Sequence, residues 1–224
     1  MTDPYRKHEE PSTEQLEAEP IAPAEELGTR ISSHARTGPS GAVGSVLGSE
    51  SAVDMHANGL VVRGLLGTRT EILFSEIDAV HHLFEENEDG APSVALTTFE
   101  GVRVEIPSSV RGIDRIIADI DREVTQPLIE PAKEALARGE RLLFGPLTLE
   151  LDGIVLHGRS LPWSMLPKVI ARRHALMFHA PDTYGRFGVL PLRDVPHPRV
   201  LLAVLRMRTR VIRQGLRLFG EHDE

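Results

Sequence analysis

Arg206, Arg210, Arg213 and Arg217 fall at spacings of four, three and four, which on an α-helix lines them along one side. Leu201, Leu205, Ile212, Leu216 and Phe219 take another side, and Arg208, close to the apolar side, can extend its charged head outward along its stem. The chemistry such a stripe offers is docking on an acidic surface. Anionic lipid heads are one such surface, towards which each nearby arginine contributes about 1 kcal/mol. The chain's own acidic N-terminal segment is another, and it would mask the stripe until displaced. These four arginines are the residues the sequence nominates for binding an anion or a partner.

Other residue types that could do chemistry lack the spacing for it. The chain has ten histidines, but His81 and His82 are adjacent and on a strand point to opposite faces. His174 and His179 flank a strand, His197 sits between two prolines at a helix start, and no HExxH pattern puts two ring nitrogens on one face. No metal site is expected. Ser164 follows Trp163 as Ser75 follows Phe74, so these hydroxyls are expected to hydrogen-bond a turn. Ser109 lies in a Pro-Ser-Ser stop that can cap a helix. There is no GxSxG elbow, no GK[ST] phosphate loop and no cysteine. The expectation is a protein that is not an enzyme and carries no cofactor.

Bulk properties narrow the classes further. The 224 residues carry a net charge of -8, which argues against a nucleic-acid partner. The first ten residues lack an apolar signal region, and no apolar run approaches the roughly 18 residues that span a bilayer. A soluble cytoplasmic protein is expected, membrane-peripheral if the arginines meet lipid. Residues 1–26 are rich in Glu, Pro and Ala and read as a disordered acidic tail.

The elements that would position these residues come in two sets. Residues 27–126 read as strands closed by an amphipathic helix carrying Val110, Ile113, Ile116, Ile117, Ile120 and Val124 on one face. Arg30 to Arg36 is a candidate first strand, and Gly38 to Gly48 a flexible loop. A linker, 127–138, holds a short helix from Pro131 ended by Gly139. Residues 139–220 repeat the strands and end in a helix from Pro198 to about Phe219. Gly59 to Gly64 answers to Gly153 to Gly158, and Phe74 to Val80 to Trp163 to Val169. Asn58-Gly59 and Asp152-Gly153 read as type I′ hairpin turns. A period of about ninety residues is too long for a solenoid repeat and suits two small domains.

Strands followed by one closing helix is the order of the pleckstrin-homology superfold. The second unit resembles a bacterial family of PH-like proteins of unknown function in three places: Gly139-Glu140 before Phe144-Gly145-Pro146-Leu147, then Asp152-Gly153-Ile154, then Leu161-Pro162-Trp163-Ser164. The resemblance spans roughly residues 27 to 215. It implies an α+β fold of two tandem PH-like split β-barrels, each closed by a C-terminal helix, and brings no catalytic residues. Two departures stand out. PH domains usually place a tryptophan in the closing helix, whereas here Trp163 lies in a strand; and neutral Gly145-Pro146 stands where inositol-lipid binders carry basic residues. The functional expectation is a non-catalytic binding or scaffolding protein acting through contacts with an unknown protein partner, at a sheet edge or helix groove. The alternative is peripheral binding to an anionic lipid or ligand through the arginine-striped helix.

Overall fold

The computed structural model describes residues 24–35, 52–64, 68–83, 93–172, 174–181 and 187–214. Most of the expected acidic tail, the loop at Gly38 to Gly48, and Leu216, Arg217 and Phe219 lie outside the described residues.

The fold is mixed α+β. A helical turn, α1 (Ala24–Leu27), leads into four antiparallel strands in chain order: β1 (Arg30–Ala35), β2 (Ala52–His56), β3 (Gly59–Arg63) and β4 (Arg69–Leu73). α1 replaces the last residues of the expected tail: Leu27 is buried, and its carbonyl accepts the Asn58 amide at 3.0 Å. A 3-10 turn at Phe74–Glu76 passes the chain to a second sheet of β5 (Ile77–Leu83), β6 (Ser93–Thr98) and β7 (Arg103–Ile106). Helix α2 (Ile113–Ile120) follows. Its apolar face is the predicted one: Ile113, Ile116, Ile117 and Ile120 are buried, with Val110 and Val124 beside them. Each such side chain contributes about 1.5–3 kcal/mol relative to an exposed one. They cover Val53, Leu60, Ile72, Val94 and Leu96 from both sheets.

The second half repeats this succession. β8 (Leu142–Phe144), β9 (Leu147–Leu149), β10 (Gly153–Leu156) and β11 (Arg159–Pro162) form a four-stranded sheet. A 3-10 turn at Trp163–Met165 leads to β12 (Lys168–Arg172), β13 (Ala175–His179) and β14 (Gly188–Pro191), then to helix α4 (Pro198–Arg208). This half has its own apolar core, in which Val200, Leu201 and Leu205 of α4 meet Leu149, Val169 and Phe178. Each half has two separately hydrogen-bonded sheets, of four and three strands in the first and of four and four in the second, and no closed barrel forms among the described residues.

The repeat holds at the level of single bonds. The Phe74 amide donates to the Asn58 carbonyl at 2.8 Å, and the Trp163 amide to the Asp152 carbonyl at 3.0 Å. Gly59 pairs with Leu73 as Gly153 pairs with Pro162. The expected type I′ turns are not there: neither glycine has a positive φ. What the position requires is closeness. A Cβ on Gly59 would overlap the Ile72 carbonyl oxygen and sit 2.9 Å from the Leu73 Cα; one on Gly153 would overlap the Leu161 oxygen and sit 2.9 Å from the Pro162 Cα. The helices that close the two halves, α2 and α4, also start from a left-handed residue, Gly112 (φ 72) and His197 (φ 47).

The short helix expected in the linker is α3 (Ile129–Ala137), which α2 reaches through a π turn (Asp121–Thr125) and a 3-10 turn (Gln126–Leu128). Pro127 lacks the amide that a regular α ladder needs, so the helix changes pitch there rather than stopping, while Pro131 falls in the first turn of α3, where no amide is needed. It ends at Gly139, with the Gly139 amide on the Leu136 carbonyl (3.0 Å) and the Glu140 amide on that of Ala135 (2.9 Å). The last helix, in turn, stops at Arg208 rather than Phe219. Thr209 is extended, its hydroxyl donates to the Leu166 carbonyl at 2.7 Å, and residues Arg210–Gln214 form a strand, β15, parallel to β12. The β-branched pair Val211-Ile212 suits a strand, and the edge of β12 supplies its backbone partners.

Candidate functional site

β4 is the outermost strand of its sheet and pairs only with β3 among the described residues. Along an antiparallel strand, successive residues turn their backbone groups alternately towards and away from the neighbour. The Phe74 amide goes to Asn58, on the β3 side. The Leu73 amide points the other way, where the Glu76 carboxylate accepts it at 2.9 Å. By this alternation the Glu71 N–H and C=O also face outward. They face a cleft of about 350 Å³ lined by Thr70, Glu71 and Ile72 of β4, Ser75 and Glu76 of the turn, and Thr98, Phe99, Glu100 and Val102 of the β6–β7 hairpin.

The cleft is acidic and has an aromatic lip. Glu76 and Glu100 supply its carboxylates; Glu71, next to core-facing Ile72, turns its own to the other face of β4, where it pairs with Arg69. Phe99 is 72% exposed and Val102 44%. The hairpin is fixed by the Phe99 amide on the Glu76 carbonyl (3.0 Å) and the Val102 amide on the Thr98 hydroxyl (3.2 Å). A free strand edge, two glutamates and an exposed ring together can hold an extended chain bearing a cation.

A second polar cluster lies where the halves meet. His82 of β5 and Asp121 of the π turn are fully buried, with Nε2 and Oδ1 3.5 Å apart, and Arg199 of α4 brings Nη1 to 3.3 Å from the other oxygen of Asp121. Next to it, His197 donates Nε2–H to the Asp78 carbonyl and its own amide to the Val80 carbonyl, both at 2.8 Å. His81 donates Nδ1–H to the Arg193 carbonyl at 3.1 Å. The adjacent histidines thus serve different partners, as strand alternation requires. This cluster was legible in part. Asp121 stands four residues from Ile117 and three from Val124, on the apolar face of the helix, and a carboxylate there calls for a buried partner.

Burial holds the His197 imidazole below the usual histidine range, against the raising effect of the bond to Asp78. His81 is lowered the same way, with the Arg193 carbonyl opposing. Both rings are neutral when folded and charge near pH 6.5 when unfolded. Their contribution is therefore present above about pH 6.5 and lost as pH falls through the lower folded values. Between pH 7.5 and 5.5 the thermal midpoint should fall more for the wild type than for His197→Asn, which keeps a donor and tolerates the left-handed backbone. Equal falls in scanning calorimetry would rule the histidine out as the cause.

The nominated arginines do not share one line. Arg206 is exposed on α4, Arg210 and Arg213 are three apart on β15 and so leave opposite faces of the strand, and Arg217 is outside the described residues. Arg210 instead stands beside Lys168 of β12, which is level with His179 of β13. The turn at Ser75 is closed by the Glu76 carboxylate and that at Ser164 by the Trp163 indole, which donates to the carbonyls of Glu150 (3.0 Å) and Leu151 (3.1 Å). No group of three metal-ligating side chains occurs among the described residues, and none of their helices is long and apolar enough to cross a membrane.

No curated protein matches the sequence. Among solved structures, the C-terminal domain of an unknown protein from Leishmania infantum is similar at 13% identity, covering 42% of this chain and 83% of that one, with a TM-score of 0.32. A likeness of that size carries no inference. A family model, described as a family of unknown function (DUF6585), matches residues 45–210, from before β2 to the start of β15, and the chain is a member of that family.

Proposed function

We propose that this protein is a non-catalytic binding module made of two pleckstrin-homology-like units, acting through contacts with another protein. Four antiparallel strands, three more and a helix, twice over, is the order that supports the PH-like reading. The observation that carries the binding role is the open edge of β4 above the cleft of the first unit. Edge strands with free backbone groups accept an extended segment as an added strand, and pockets beside the edge select its side chains.

A second reading, docking on an anionic surface, has one observation in its favour: the basic row of His179, Lys168 and Arg210 across β13, β12 and β15. The two readings are separated by selecting displayed random 12-residue peptides on the full chain, alongside co-sedimentation with anionic vesicles. The cleft reading expects selected peptides to weaken at least about tenfold against the Phe99→Ser/Val102→Ser variant, which alters only exposed side chains. No enrichment, together with salt-sensitive vesicle binding lost in Lys168→Gln/Arg210→Gln, would hand the role to the basic row.

A further inference from the structure

The second half shows what fills the position equivalent to the cleft. With Gly59–Leu73 set on Gly153–Pro162, the residue three before Leu73 is Thr70 and the residue three before Pro162 is Arg159. Arg159 spans the gap between β11 and the β13–β14 connection. Its Nη1 donates to the Phe187 carbonyl at 3.3 Å, and its guanidinium carbon lies 4.8 Å from the centroid of the Phe187 ring. One side chain thus joins the two sheets through a hydrogen bond and a cation–π contact. In the first half, Thr70 is too short to do this, and the gap is the cleft.

The surroundings of the two gaps differ in the direction a missing cation would require. Met165 of the turn after β11 corresponds to Glu76 of the turn after β4, so the first gap has a carboxylate where the second half has a thioether. Glu100 adds a second carboxylate, and Phe99 offers an exposed ring on the hairpin side.

From this internal comparison we infer that the first cleft takes an arginine side chain from the partner, doing between proteins what Arg159 does within the chain. The inference rests on the reading of the cleft as a protein-binding site and names the chemistry of its partner: an extended segment with an arginine at the point that faces Thr70. The guanidinium pairs with the carboxylates of Glu76 and Glu100 and stacks on Phe99, while flanking residues pair with the β4 edge. A planar fork suits both contacts; a lysine ammonium makes the first less well and the second only as a point charge.

The probe is a blocked heptapeptide of alternating threonine and valine with arginine at its centre, titrated into the full chain by NMR or calorimetry. Its citrulline-centred counterpart, of nearly the same shape without charge, should bind at least about tenfold more weakly, and the lysine-centred one in between. Two variants locate the effect. Phe99→Ala, at an exposed site, should weaken the arginine peptide about threefold or more. Thr70→Arg should close the cleft from within, abolishing peptide binding while raising the thermal midpoint. Equal affinity for arginine and citrulline peptides, or unchanged binding to Thr70→Arg, overturns the arginine inference and leaves peptide binding standing. If display selects peptides that lack arginine, the inference also falls alone; if no peptide binds by either method, the protein-binding reading falls with it.

Discussion

Replacing Asp121 with alanine is expected to cost about 3–5 kcal/mol of stability, the usual effect of removing one partner from a buried ion pair. Among the described residues, the carboxylate is the only acidic group placed on both Arg199 and His82. Without it, a guanidinium whose side chain is only 14% exposed keeps its charge in apolar surroundings, next to a fully buried imidazole. The loss should be partly reversed in Asp121→Ala/Arg199→Met, because an apolar side chain of similar length removes the uncompensated charge. Urea unfolding followed by circular dichroism reads both variants. A single-variant loss below about 1 kcal/mol, or a double variant no more stable than the single, would show that the carboxylate does not hold this junction.

Gly145→Ala is the second large effect, at about 2–5 kcal/mol. Gly145 turns β8 into β9 with φ +61, where any side chain costs about 1–2 kcal/mol. A Cβ would also run into the Asp194 carbonyl oxygen and come within 3.3 Å of its carbon. Overpacking against backbone adds about 1–3 kcal/mol. Gly158 supplies the control: its φ is +76, but nothing lies within 4 Å of its absent Cβ, so Gly158→Ala should lose only the conformational part. Equal shifts in the urea midpoint of the two variants would refute the close approach to Asp194.

The repeated order of elements and most strands were legible because they are written in local pattern: alternating apolar residues and the Phe74 and Trp163 positions after matching glycines. The apolar face of α2 was legible for the same reason. The end of α4 was not. Arg206, Arg210, Arg213 and Arg217 satisfy a helical period as well as Thr209-Arg210-Val211-Ile212 satisfies a strand. What decided between them is the edge of β12, some forty residues earlier, which no local window contains. The glycines of Asn58-Gly59 and Asp152-Gly153 were found for the wrong reason, since the turn signal and the demand for a bare backbone select the same residue. The cleft escaped because it is a difference between copies. Thr70 is unremarkable until Arg159 is set beside it, and Phe187 enters only through the tertiary fold.

β15 completes its sheet by lying parallel to β12, with all of β13, β14 and α4 intervening in the chain. Synthesis delivers these segments from the N-terminal side, so the first half can consolidate while the second still lacks its final ladder. Until Arg210–Gln214 arrives, Lys168–Arg172 presents bare amides and carbonyls to whatever is near. Lys168 and Arg172, at either end of that strand, are the charges that discourage a nascent neighbour from docking there in the meantime.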